Sequence, residues 1–346
     1  MRSRSTLWLF VIALSICATA SSQDHPHQAP PEGAAVEPGG DFSNNMQGPK
    51  VPSDVILVKG AWASASDSVT PLPEGGSVRE RAYVNPYFGL AYPLPLGFTE
   101  KSKGPPPSST GYYVLAELRS AQTPGGQDQG AILIAAQDLF FGPTQIIDAI
   151  QMVQYTRSHL NEEYRVDSQP TEIKLANHSF ARLGYMSPAA GLQWYMVATN
   201  IRCHAVQFVF TSRYAKLIDR LMQEMNTMVL PAEAGDTSSA GSGEFPVCIK
   251  DYAKGPNVVE KVDPAFTEHK FYPVPVRIII DKNGRVKHIH FISAFPDQAK
   301  AISDALLQWR FKPYLKNGTP AEVETGIMFG RIQRPVNVPN ALAVAD

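Results

Sequence analysis

Residues 274–291 read VPVRIIIDKNGRVKHIHF, and this stretch decides the fold of the C-terminal part of the chain. The apolar run at 274–281 is rich in β-branched residues and predicts a strand, and residues 286–295 predict its partner. Between them, Asn283-Gly284 predicts a tight turn, because both residues tolerate the positive φ angles that such a turn needs. The stretch therefore predicts a two-stranded antiparallel hairpin.

Further along the chain, the sequence predicts a helix and one more strand. Pro296 and Asp297 are typical of a first helical turn. The apolar residues that follow repeat at helical spacing: Ala299, Ile302, Ala305, Leu306 and Trp309. We expect Trp309 to be buried between the helix and the sheet. After Pro313, which cannot continue a helix, Asn317-Gly318 predicts a turn and residues 323–331 predict a last strand.

This β-β-α-β unit, assigned to residues 245–332, resembles the C-terminal domain of TonB-type energy transducers. The resemblance is carried by DKNGRV at 281–286, WRFKP at 309–313 and NGTP at 317–320. It assigns a structural motif to Asn283, Gly284, Trp309, Arg310, Phe311 and Pro313. In that family, partners supply an extended segment that adds to the sheet. By analogy, the partner-binding edge strand consists of Val323, Thr325, Ile327 and Phe329 in the last strand.

Residues 82–230 predict a separate domain in which strands and helices alternate. Strand-like runs at 112–119, 131–138, 173–185, 192–201 and 205–211 are interrupted by two helical patterns. One follows Pro143 and the other starts near Tyr214. The face predicted for the first helix is formed by Ile146, Ile150, Val153, Arg157 and Leu160. This order predicts an α+β fold, an antiparallel sheet with helices on one side. With its opening YFGL at 87–90 and PLGF at 95–98, the domain loosely resembles the PsbP-like fold. The whole chain is thus predicted to contain two α+β domains.

The N-terminus predicts export. Arg2 and Arg4 precede an apolar run, and Ala18-Thr19-Ala20 supplies the small residues of a cleavage site, so residues 1–20 read as a signal peptide. An uncleaved anchor and a lipoprotein attached through Cys17 are the alternatives. By composition, residues 21–81 read as a disordered leader and residues 333–346 as a tail. Residues 231–244 read as an interdomain linker, so we expect proteases to cut there and release two folded pieces.

The net charge, the cysteines and the histidines indicate which partners and bound groups to expect. The formal net charge of −1 argues against nucleic acid as a partner, and no second apolar stretch is long enough to span a membrane. Cys203 and Cys248 can form a disulfide, but we expect two unpaired thiols because they fall in different predicted domains. His288 and His290 share one face of a strand, and we expect them to face solvent rather than bind a metal.

The sequence contains no G-x-S-x-G, H-E-x-x-H, C-x-x-C, P-loop or G-x-G-x-x-G motif. We therefore expect no enzyme, catalytic residue, cofactor or metal. The leading hypothesis is a binding or adaptor protein of the periplasm or cell envelope of a Gram-negative-type bacterium. Its expected partner is an extended segment of an envelope protein, such as an outer-membrane transporter, and its C-terminal domain can form a homodimer. The alternatives are an anchored energy transducer and an enzyme with an unrecognised site in the middle domain.

Overall fold

The structure is a computed structural model of the 346-residue chain. It describes residues 55–57, 65–67, 71–102, 108, 110–121, 129–142, 146–167, 169–231, 245–265, 273–292 and 294–330. These ranges do not include the predicted signal peptide, most of the leader, Pro143, residues 232–244 of the linker, or the tail. All of the described residues belong to one compact unit. The α+β fold class is confirmed, since antiparallel sheets dominate and helices are few.

The middle part of the chain is built on a large antiparallel sheet. Among the described residues its strand order is β10-β11-β12-β13-β8-β7-β6, with β9 pairing β11. The strands are β6 (Phe98–Ser102), β7 (Tyr112–Ser120), β8 (Gly130–Asp138), β9 (Arg165–Val166), β10 (Thr171–Leu175), β11 (His178–Ser187), β12 (Leu192–Ile201) and β13 (His204–Ser212). The single strand predicted at 173–185 is instead a hairpin, because Ala176 and Asn177, with φ of 46° and 64°, turn the chain.

The two helices of this part cover opposite faces of the sheet, which corrects the expectation of one covered side. Helix α1 (Ala149–Ser158) packs on Met196, whereas α2 (Ala215–Glu224) shares a core with Val197. Adjacent residues of a strand point to opposite faces, so the helices lie on opposite sides. Helix α1 begins at Ala149 behind its N-cap Asp148, and it leaves Ile150 44% exposed, although the predicted apolar face included Ile150.

Part of the predicted leader is folded. Strands β1 (Val55–Leu57) and β2 (Ala65–Asp67) pair with each other, and β3 (Ser77–Arg79) joins β4 (Ala82–Asn85) and β5 (Leu90–Pro93) in a small sheet. Tyr83 and Tyr92 of this sheet are almost fully buried against the core beneath α2. Burial of these aromatic rings stabilises the small sheet on the larger one. Because β3 pairs with β4, the folded unit begins before residue 82.

The C-terminal part has the predicted β-β-α-β order with short additional strands. Its sheet has the order β14-β21-β16-β17 and carries helix α3 (Pro296–Leu306). The strands of this sheet are β14 (Val247–Cys248), β16 (Val274–Ile280), β17 (Val286–Phe291) and β21 (Val323–Phe329). Two small antiparallel pairs accompany it: β15 (Val258–Glu260) with β18 (Arg310–Phe311), and β19 (Tyr314–Lys316) with β20 (Thr319–Ala321). Strand β14 runs parallel to β21, whereas β16 runs antiparallel to both of its neighbours.

Trp309 is buried as predicted, with 3% of its surface exposed, and its Nε1 donates a hydrogen bond to Val262 O at 2.7 Å. The turn before β17 differs from the prediction, because Gly284 has a positive φ of 77° while Asn283 does not adopt one. Gly284 is also required for close approach, since Phe311 N donates to its carbonyl at 2.8 Å. A Cβ at position 284 would overlap Phe311 O.

None of the helices in the described residues combines the length and the apolar composition needed to cross a membrane.

Candidate functional site

Both faces of the C-terminal sheet are covered, and the face opposite α3 carries a buried arginine. Arg277, in the middle of β16, is 1% exposed. Its Nη1 lies 2.6 Å from Asp138 Oδ2 at the end of β8, and its Nη2 lies 3.1 Å from Glu324 Oε1 on β21. Phe140 packs over the guanidinium at 4.5 Å. Arg277 therefore joins the two predicted domains through charges that are shielded from water.

A second arginine completes the network from the middle domain. Arg202, in the turn between β12 and β13, places its Nε 3.1 Å from Glu324 Oε2 and donates from Nη1 to Tyr87 O at 3.0 Å. The Tyr87 hydroxyl donates to Glu324 Oε1 at 2.7 Å. Two guanidinium groups thus face two carboxylates, those of Asp138 and Glu324, which balances the formal charge of the buried cluster.

Burial and the neighbouring charges shift the pKa values of Glu324 and His204 in this cluster. Burial alone would raise the pKa of Glu324, but Arg277 and Arg202 outweigh it and lower that pKa to about 2. Burial, together with Arg277, lowers the pKa of His204 to about 4, so this imidazole is neutral near pH 7. His204 Nδ1 therefore carries the hydrogen that it donates to Arg202 O at 2.7 Å. The cluster is suited to holding two sheets together.

Sequence reasoning missed this cluster, although one signal was present. Arg277 interrupts a strand whose other residues are all apolar, and a continuously apolar strand is typical of burial on both faces. A charged residue inside such a strand requires a buried counter-charge. That counter-charge is Asp138, which stands 139 positions earlier in the chain, so no local pattern links the two residues.

The two histidines of β17 are buried, which contradicts the expectation that they face solvent. His288 is 4% exposed and His290 2%. His290 Nε2 lies 3.1 Å from Glu74 Oε1, and its ring stacks on Tyr113 with 6.4 Å between centroids. Burial would raise the pKa of Glu74, but the neighbouring His290 lowers it. These histidines lie on the sheet face that packs against the middle domain.

The predicted partner-binding side chains of β21 also lie inside the protein. Val323, Thr325 and Phe329 are 1%, 0% and 8% exposed, and Ile327 is partly buried. All four alternate onto the face that carries the core with α3 and Trp309. The side chain of Thr325 is therefore closed to solvent, and a partner could reach β21 only through its main chain.

The outer edge of β21 is partly occupied by the chain itself. Strand β14 adds there in parallel, pairing Val247 with Val323 and Cys248 with Glu324. Val247 N donates to Glu322 O at 2.7 Å, and Ile249 N donates to Glu324 O at 3.0 Å. Strand β21 has seven residues and β14 has two, so the added strand covers only the first part of the edge.

Cys203 and Cys248 form a disulfide with 5.7 Å between their Cα atoms, which corrects the expectation of two free thiols. The two cysteines do fall in different parts of the chain, as predicted. However, the turn between β12 and β13 packs against the C-terminal sheet, so the sulfur atoms meet. The bond links β14 covalently to the middle domain.

Within the ranges that the structure describes, no group of three His, Cys, Asp or Glu side chains is arranged to hold a metal ion. The predicted absence of a metal, a cofactor and an enzymatic activity stays a prediction.

The fold and this site define an α+β protein whose C-terminal sheet is fixed between a helix and a second, larger sheet. The chain is similar to the solution structure of cyanobacterial PsbP (CyanoP) from Synechocystis sp. PCC 6803, with 10% identity and a TM-score of 0.31. The match covers 45% of this chain and 98% of that chain. No protein family model and no curated protein matches the sequence.

Proposed function

We propose that the protein is a non-enzymatic binding protein of the cell envelope that captures an extended peptide segment at the outer edge of β21. The observation that carries this proposal is β14, because it occupies that edge as an added strand made of only two residues. Strand addition uses main-chain hydrogen bonds for affinity and alternate side chains for specificity. The chain thus contains an intramolecular example of the ligand that the edge would accept.

The side chains around β14 indicate what kind of peptide fits. Exposure alternates from Val247 onward, because Val247 and Ile249 are partly buried and Cys248 and Lys250 are exposed, while Phe245 and Pro246 before them are both partly buried. The Arg202 guanidinium lies 5.3 Å from the centroid of the Phe245 ring, and Ile249 packs against the core of the C-terminal sheet. The preferred partner is therefore an extended segment with apolar residues at alternate positions.

Two further observations support an envelope partner. The disulfide between Cys203 and Cys248 suits an oxidising compartment, where such bonds form and persist. The motifs DKNGRV and WRFKP resemble those of TonB-type proteins, whose partners are envelope proteins that supply an extended segment. We therefore propose an outer-membrane transporter as the source of the peptide and the periplasm as the compartment.

The test uses a labelled peptide with the sequence of residues 245–250 and serine in place of Cys248. The protein carries Cys203→Ser, Cys248→Ser and Val247→Pro, which release its own strand and remove the Val247 donor. Fluorescence anisotropy should show saturable binding of this peptide. A control peptide with proline at the Val247 position should bind about fivefold more weakly or worse, since one main-chain hydrogen bond contributes about 1 kcal/mol.

Circular dichroism must show that the triple variant is folded. If the peptide does not bind to the folded variant, or if the proline peptide binds equally well, strand addition at β21 is not the function of this edge.

A further inference from the structure

We propose that the Cys203–Cys248 disulfide is a redox lock that holds β14 on the edge of β21, and that its reduction opens this edge. The biological role of the lock rests on the proposed function, because β14 occupies the position that a partner strand would take. The release of β14 is a property of this chain alone and can be measured without a partner.

The two ends of the disulfide are held very differently. On the Cys203 side, Leu139 N donates to Cys203 O at 3.0 Å, and the adjacent Arg202 is fixed by Glu324. Cys203 itself is 7% exposed. Cys248 is an exposed residue of the two-residue strand β14. Breaking the bond should therefore release β14, while the turn that carries Cys203 stays in place.

Few other interactions hold β14 on β21. They are the short main-chain ladder, which includes the hydrogen bonds from Val247 N and Ile249 N, and a hydrogen bond from Thr325 Oγ1 to Lys250 O at 3.1 Å. Ile249 also packs against the core, and Phe245 lies beside Arg202. A pairing this short is marginal, because ordering the backbone of each residue costs about as much free energy as one such bond returns. The covalent link compensates for this by keeping β14 close to its site.

The exposed Cys248 also provides access for a reductant. A thiolate of a dithiol attacks Cys248 Sγ, which forms a mixed disulfide and releases Cys203 as a thiolate that takes up a proton. The second thiol of the reductant then displaces Cys248, which is protonated in turn. Two electrons and two protons pass to the protein, and the dithiol is oxidised to a disulfide.

The result is an edge with two states. In the oxidised state, Glu322 O and Glu324 O accept hydrogen bonds from β14. In the reduced state, these carbonyls become available to a competing strand. The apparent affinity for a partner rises in proportion to the fraction of molecules in which β14 has left.

Hydrogen–deuterium exchange of the oxidised and the dithiothreitol-reduced protein tests the lock. The amides of Val247 and Ile249 should exchange at least about tenfold faster after reduction, as expected when a local opening becomes populated. The amides that join β16 to β21 should keep their protection. The matched Cys203→Ser/Cys248→Ser variant should show the fast exchange with or without dithiothreitol.

Unchanged protection of Val247 and Ile249 on reduction would overturn the lock. Loss of protection throughout β16 and β21 would overturn it as well, because the disulfide would then support the whole fold. Selective release of β14, combined with failure of the labelled peptide to bind, would support the lock and refute the proposed function.

Discussion

Arg277 and Asp138 stand 139 positions apart in the chain, yet their side chains meet in a buried ion pair 2.6 Å long. Asp138 ends a strand of the large sheet, and Arg277 lies in the middle of the C-terminal sheet. Glu324 shares the same guanidinium. The middle and C-terminal parts are therefore joined through their most deeply buried charges, and perturbing this pair should affect both.

Arg277→Met should lower the free energy of unfolding by about 3–5 kcal/mol, because it leaves two carboxylates buried without their main counter-charge. Arg277→Lys keeps a positive charge but cannot reach both carboxylates with a planar group, so it should cost less. Urea denaturation of the three proteins measures the difference. A loss below about 1 kcal/mol for Arg277→Met, a value typical of exposed pairs, would show that the cluster is accessible to water.

Stability should fall with acidification in two overlapping ranges. The pKa of His204 is lowered from 6.5 to about 4 in the folded state, so the unfolded chain binds more protons between these values. The pKa of Glu324 is lowered from 4.5 to about 2, which extends the loss to lower pH. Melting temperatures should therefore decrease as pH falls from about 6.5, most steeply between about 4.5 and 4, where both groups contribute, and should continue to decrease toward about pH 2 through Glu324.

His204→Asn separates the two contributions. Asparagine can still donate to Arg202 O but does not titrate, so the decrease in melting temperature between pH 6.5 and 4 should become smaller than in the wild type. The decrease below pH 4.5 should persist because Glu324 is unchanged. Equal pH profiles for the two proteins would show that His204 is not held neutral.

Trp309→Ala should cost about 3–5 kcal/mol, since it removes a buried indole and the hydrogen bond to Val262 O. Trp309→Phe keeps most of the ring volume and serves as the control, with a smaller loss. Differential scanning calorimetry provides the measurement. A melting temperature within about 2 °C of the wild type for Trp309→Ala would correspond to less than about 1 kcal/mol and contradict the burial.

Cleavage within residues 232–244 should not separate the chain into two independent pieces, in contrast to the expectation from composition alone. A protease site inserted there should give one band on a non-reducing denaturing gel, because Cys203 and Cys248 span the cut. With reductant the gel should show two bands, while gel filtration under native conditions should still give one species held by the buried ion pairs. Separation of the fragments on the native column would show that the disulfide alone joins them.

Export can be checked independently of the fold. The predicted signal-peptidase site has Ala18 and Ala20 at its small-residue positions, and this prediction places the start of the mature protein at Ser21. Intact-mass measurement of the protein from its native envelope gives the answer. A species that retains residues 1–20, or that carries lipid on Cys17, would favour one of the two anchored alternatives.

Local patterns in the sequence were sufficient for individual elements. The apolar, β-branched content of 274–280, the turn signal at Gly284 and the helical spacing of Ile302 and Leu306 each depend only on residues that are close together in the sequence. These elements, the burial of Trp309 and the α+β class could therefore be predicted. Helix α1 was predicted less well, because the expected face relied on Ile150, which the structure leaves exposed.

The candidate site depended on relationships that no local pattern encodes. Whether Thr325 faces solvent depends on what covers its side of the strand. Part of that cover is Lys250, whose carbonyl accepts from Thr325 and which stands 75 positions earlier in the chain. The pairing of Cys203 with Cys248 and the occupation of the β21 edge by β14 likewise required two distant segments to be packed together. The periodicity and the turns of each element can be derived from the amino-acid order, since they arise from backbone sterics and neighbouring side chains. Which faces, charges and thiols meet follows from the folded arrangement alone, because burial and ion pairing are set by the packing of the sheets against each other.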